Sequence, residues 1–205
     1  MKKGLAVAMA ALLGVATMGT TVMAAASGDI TICSREDGSG TRGAFIELFG
    51  IEEKDADGNK VDNTTEAAKI TNSTSVMLST VAQDENAIGY VSLGSLDDSV
   101  TAVKIDGAEA TAESIESGDY KVVRPFNIAT KDDVSEAAQD FITYIMSADG
   151  QQIIEDNGYI SVGDKPAYEA ADVEGKVVVA GSSSVTPVME KLAEGYKAVN
   201  NKVDI

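Results

Sequence analysis

The chain has 205 residues, with 16 basic and 33 acidic side chains, one cysteine, no histidine and no tryptophan. A net charge of −17 disfavours nucleic acid and anionic lipid as partners, because both would be repelled. One cysteine excludes an intramolecular disulfide, and the absence of histidine excludes Ser-His-Asp and Cys-His catalysis and most zinc sites.

Residues 1–26 read as an export signal, with Lys2 and Lys3, an apolar stretch from Leu5 to Val15, and Ala24-Ala25-Ala26 at the cleavage site. The apolar run is short for a membrane span, and Gly14, Thr17 and Gly19 weaken it. The mature protein is expected to begin near Ser27 and to reside in a periplasm or at the outer face of the cell membrane. Losing Lys2 and Lys3 makes it more acidic still, which suits solubility outside the cell.

Ile30–Cys33 alternates like a strand. Gly38-Ser39-Gly40-Thr41 follows, and then a helical run from Arg42 to Phe49. A strand, a Gly/Ser/Thr turn and a helix N-terminus form an anion-binding architecture, because the first N–H groups of a helix lack internal partners and the helix dipole favours negative charge. Glycine lets the backbone approach a ligand, hydroxyls add donors, and Arg35 adds a charged two-pronged fork. The plainer alternative is an ordinary capped helix.

Lys54–Asn63 reads as a polar turn at a hairpin or loop tip. Asp55, Asp57 and Asn59 half-match a calcium loop, but Lys60 stands where the sharp turn needs glycine, so no metal is expected. Asn72–Gln83 reads as a helix capped by Ser73 or Ser75, with Val76, Met77, Thr80 and Val81 on one face. Ala87–Leu93 reads as a buried strand, and Val100–Ile105 as another, closed by an Asp106-Gly107 turn. Ala112–Ser117 is a short helix ending at Gly118, and Val122–Thr130 an extended edge or crossing strand around Pro125.

Val134–Asn157 gives the clearest helical pattern, with Ala137, Ala138, Phe141, Ile142, Ile145 and Met146 at helical spacing and Gly150 as the point of division. Residues 163–175 form a polar linker. Lys176–Ala180 reads as a strand, followed by Gly181-Ser182-Ser183-Ser184 and a helix from Pro187 to Val199, with Val188, Met189, Leu192 and Tyr196 on one face. Lys202–Ile205 begins another strand. The chain thus holds two strand–turn–helix units whose hydroxyl-rich helix starts can converge on one small anion from two sides of a cleft.

Taken together, these segments resemble the phosphate-binding proteins of phosphate ABC transporters, which have the type II periplasmic-binding-protein fold. REDGSGTR at Arg35–Arg42 is similar to that family's phosphate loop. AIGYVSLGSL at Ala87–Leu96, IDGAEATAESIESGDY at Ile105–Tyr120, RPFNIATK at Arg124–Lys131 and FITYIMSADGQQIIEDNGYISV at Phe141–Val162 resemble it too. VVVAGSSSVTPVMEKLAEGYKAVN at Val177–Asn200 resembles the family's amino-terminal start. Here that segment comes last, and the stretch that usually separates the two, with a further phosphate-binding serine and an aspartate that accepts a hydrogen bond from protonated phosphate, is not found. The resemblance therefore implies a permuted and incomplete binding protein, a piece of a tandem array or of a rearranged gene.

It further implies an α/β fold of one nearly complete lobe, residues 27–123, and a partial second lobe, residues 124–205, made of a crossing strand, the long helix, the linker and the strand–helix unit from residue 176. Carried over residue by residue, Arg35 would pair with phosphate oxygens, Ser39 and Thr41 would supply hydroxyl and N–H, and Gly40 its N–H. Ser183 and Ser184 would complete the site, in a register uncertain by one residue. The implied partners are inorganic phosphate and an ABC transporter permease, with no cofactor, no metal and no catalytic residue. The missing aspartate weakens the expected discrimination against sulfate. The other readings are a binder of another oxyanion or small solute, and a non-binding fragment or interaction module that self-associates or borrows a partner's strands through unpaired strand edges.

Overall fold

A computed structural model describes residues 28–205, and the expected export signal lies outside them. The chain is a mixed α/β protein. Strand β1, Thr31–Arg35, carries the opening alternation and leads into α1, Gly40–Leu48. A hairpin follows, β2 at Glu52–Lys54 and β3 at Lys60–Asp62, paired antiparallel around the polar turn read from the sequence. Next come β4, Lys69–Thr71, α2, Thr74–Ala82, and the two-residue β5, Ala87–Ile88. The order in the sheet is β4-β1-β5, all parallel, with Ser34 beside Ile70 and Ile32 beside Ile88. Cys33, Ile46 and Met77 are buried in this half. Ile32, Ile70 and Ile88 line the opposite face of the sheet and remain exposed.

The carboxyl-terminal half is helical. Helix α3, Ala112–Glu116, ends at Gly118, whose φ of 79° supplies the left-handed turn. Helices α4, Glu136–Ile145, α5, Ala148–Asp156, and α6, Thr186–Val199, pack around Phe141, Tyr144, Ile145, Val188, Leu192 and Tyr196. Strands β6, Gly175–Lys176, and β7, Val203–Asp204, pair in parallel on either side of α6 in the chain. Asp140 sits in this core and accepts from the hydroxyls of Tyr168 and Tyr196, each at 2.6 Å, so a buried carboxyl is satisfied by two phenols. Burial and this contact push the Tyr196 phenol well above its ordinary value.

Several expected elements differ. The long helix divides at Ser147, not at Gly150. Ser147 Oγ accepts from the Gly150 N–H at 3.3 Å and donates to the Tyr144 carbonyl at 2.7 Å, so it ends α4 and caps α5. The strand expected over Ala87–Leu93 stops at Ile88, because the Tyr90 ring turns away to stack on Phe45 at 4.0 Å. Among the described residues, Val100–Ile105 pairs only through an isolated bridge from Ile105 to Ala108, and Val122–Thr130 joins no sheet. Lys176–Ala180 shortens to β6, with Val177 buried and Val178 82% exposed. In α2, Met77 is buried but Val76 is exposed.

Candidate functional site

Arg35 closes β1, and the β4–α2 turn begins beside it, because Arg35 and Thr71 are register partners in adjacent parallel strands. Ligands of open α/β sheets gather at these carboxyl ends of strands. Arg35 is only 3% exposed, so its guanidinium is aimed and desolvated by the fold. Its backbone N–H donates to the Tyr90 hydroxyl at 3.0 Å, and its carbonyl accepts from Arg42 Nη1 at 2.9 Å. Arg42 also pairs with Asp37 at 3.0 Å and Asp62 at 2.7 Å, which ties the loop to the hairpin. The Asp62 contact holds the Arg42 guanidinium above its ordinary value.

One edge of the Arg35 guanidinium is taken by Glu36, with Nε donating at 2.8 Å and Nη2 at 2.9 Å. Those bonds hold the Glu36 carboxyl below its ordinary value. The remaining donors reach across the chain. Nη2 donates to Ser183 Oγ at 3.1 Å, and Nη1 donates to Thr74 Oγ1 at a longer 3.4 Å. Thr41 Oγ1 lies 2.7 Å from Ser184 Oγ, itself 3.0 Å from Ser182 Oγ. Ser184 is 1% exposed, and its carbonyl accepts from the Tyr159 hydroxyl at 2.9 Å.

The two turns singled out in the sequence therefore meet side chain to side chain. Ser183 faces Arg35 and Ser184 faces Thr41. Ser39 caps α1, its Oγ accepting from the Arg42 N–H at 3.3 Å, and Gly40 is the first residue of that helix. Sequence reasoning missed Thr74. Its backbone N–H and hydroxyl both touch Ser183 Oγ, at 3.3 Å and 3.1 Å, so the start of α2 joins those of α1 and α6 as a third helix N-terminus. The run Ser73-Thr74-Ser75 was the available signal, but it reads equally as capping. Tyr90 and Tyr159 carried no signal of their own. The arrangement offers an arginine, several hydroxyls and helix-start N–H groups around one point, which suits holding an anion by charge-assisted hydrogen bonds.

A profile described as a PBP superfamily domain matches residues 18–149. "Phosphate-binding protein PstS 2" of Streptococcus agalactiae serotype V is 56% identical over 214 residues, covering 100% of this chain and 72% of that protein. The chain belongs to the PstS family. Among solved structures, that of a phosphate-binding protein of a phosphate ABC transporter from Streptococcus pneumoniae TIGR4 has a TM-score of 0.71 at 49% identity, covering 87% of this chain and 69% of the other. A Clostridium perfringens protein, solved with bound phosphate and described as a putative phosphate ABC transporter substrate-binding protein, has a TM-score of 0.57 at 41% identity, covering 65% of this chain and 52% of the other. The alignment to the Streptococcus agalactiae protein runs the full length of this chain, so that PstS relative carries the segments in the same order. The reversed order is thus shared within the PstS family and is not a rearrangement private to this chain.

Proposed function

We propose that the chain captures inorganic phosphate outside the cytoplasm and presents it to the membrane permease of an ABC importer, without chemistry. The observation that carries this reading is the meeting of Arg35 with Ser183 at 3.1 Å and of Thr41 with Ser184 at 2.7 Å, from turns far apart in sequence. A buried arginine and convergent hydroxyls at helix starts favour a small tetrahedral oxyanion. The named binding partners of the PstS relatives support phosphate in particular. Arg35, Ser39, Gly40, Thr41, Ser183 and Ser184 are the proposed ligand residues.

Calorimetric titration of the purified protein with phosphate, and with sulfate as control, tests the reading. Saturable binding of phosphate is expected. Arg35→Ala should weaken it about 100-fold or more, the equivalent of two charge-assisted hydrogen bonds. Equal heats with sulfate would assign the site to oxyanions generally, and no binding by the folded protein would reject the reading. A second reading, self-association, is favoured by the exposed isoleucine face of the β4-β1-β5 sheet.

A further inference from the structure

We infer, resting on the phosphate reading above, that Thr74 is a positioning residue of the anion site, joining the Arg35 guanidinium to the Ser183 hydroxyl. Arg35 and Ser183 come from opposite ends of the chain, 148 residues apart. Among the described residues, Thr74 is the side chain that hydrogen-bonds both. Arg35 Nη1 can only donate, so Thr74 Oγ1 accepts from it. Between Thr74 Oγ1 and Ser183 Oγ either hydroxyl can be the donor.

Two further observations separate this role from helix capping. The cap of α2 is already made by Ser73, whose Oγ accepts from the Val76 N–H at 3.2 Å. Thr74 is also buried, at 7% exposed, and a buried hydroxyl is costly unless bonded. The side-chain partners it has are Arg35 and Ser183. Ser183 Oγ in turn accepts from Arg35 Nη2 and from the Thr74 N–H, which fills its two lone pairs and leaves its own proton to donate. That proton can be donated to Thr74 Oγ1, 3.1 Å away, or to an anion beside it.

The test compares Thr74→Val, which keeps shape and backbone N–H but removes the hydroxyl, with Thr74→Ser, which restores it. Phosphate affinity is measured by calorimetry and stability by thermal melting. Exchange of the Arg35 side-chain N–H protons is followed by nuclear magnetic resonance without phosphate. Thr74→Val should lose about tenfold in phosphate affinity and speed Arg35 side-chain exchange, with Thr74→Ser close to wild type in both. The inference is overturned if Thr74→Val binds within about twofold of wild type, or leaves Arg35 exchange unchanged, or if Thr74→Ser fails as badly as Thr74→Val. Failure of the wild-type protein to bind phosphate rejects the functional reading instead, and the exchange measurement still decides whether Thr74 holds Arg35.

Discussion

Arg35 and Glu36 show how a charged residue is kept buried at the mouth of a site. The guanidinium is almost wholly enclosed, while Glu36 remains about one-third exposed and covers one edge of it. The Glu36 carboxyl titrates below its ordinary value of 4.5, chiefly because Arg35 donates to the charged form. In the range where the unfolded chain would already bind a proton and the folded one would not, stability rises with pH. The stabilisation is therefore complete above the ordinary value and is lost as pH falls through the depressed folded value. Glu36→Gln should flatten the acid side of the melting profile as pH falls below the ordinary carboxyl value of 4.5, without steepening it elsewhere. A variant profile parallel to wild type would mean that the pair contributes nothing to acid stability. The neighbouring Cys33 thiol is buried, and burial raises it above its ordinary value, so it should stay inert to thiol reagents in the folded protein. At this scale Arg35, Thr41, Ser183 and Ser184 were legible as a group, because a glycine- and hydroxyl-rich turn before a helix occurs twice in the chain, once beside an arginine. Thr74 was not, because a hydroxyl at a helix start is most simply a cap.

The helices were easier to read than the strands. Periodicity reports which residues seek burial, and a helix satisfies its own backbone while doing so. A strand needs a partner, which an apolar run such as Val100–Ile105 or Val122–Thr130 does not specify. Within the helical half, the break between α4 and α5 was misplaced because glycine is the stronger breaker by propensity, whereas Ser147 does the work through two hydrogen bonds. Gly150 has a different function there. A Cβ at that position would strike the Tyr144 and Ile145 carbonyls at the end of α4. Alanine would gain about 1 kcal/mol in helix propensity, but backbone cannot move aside as a side chain can, and overpacking costs about 1–3 kcal/mol. Gly150→Ala should therefore lower the melting temperature, and a rise would show that the turn between the helices can relax.

For the whole molecule, the open question is what the exposed sheet face does in solution. Parallel sheets are ordinarily covered on both faces. Here Ile32, Ile70 and Ile88 are each 43–55% exposed on one side. Light scattering should show the mass rising with protein concentration, and Ile32→Glu should suppress that rise while leaving phosphate binding in place. A constant monomer mass at high concentration would remove the self-association reading. The acidic surface acts in the opposite direction, so association should strengthen with salt as repulsion is screened.

The sequence by itself excluded histidine-based catalysis and an intramolecular disulfide. Its two glycine- and hydroxyl-rich helix starts pointed to a small anion, and the motif resemblance narrowed that reading to one family. Only the tertiary structure decided which serine faces which partner, that a third helix start enters the site, and which apolar runs become strands. The physical reason is range. Turn chemistry and capping act over a few consecutive residues, whereas the contacts of Arg35 with Ser183 and of Thr41 with Ser184 exist only once the two halves of the chain have packed.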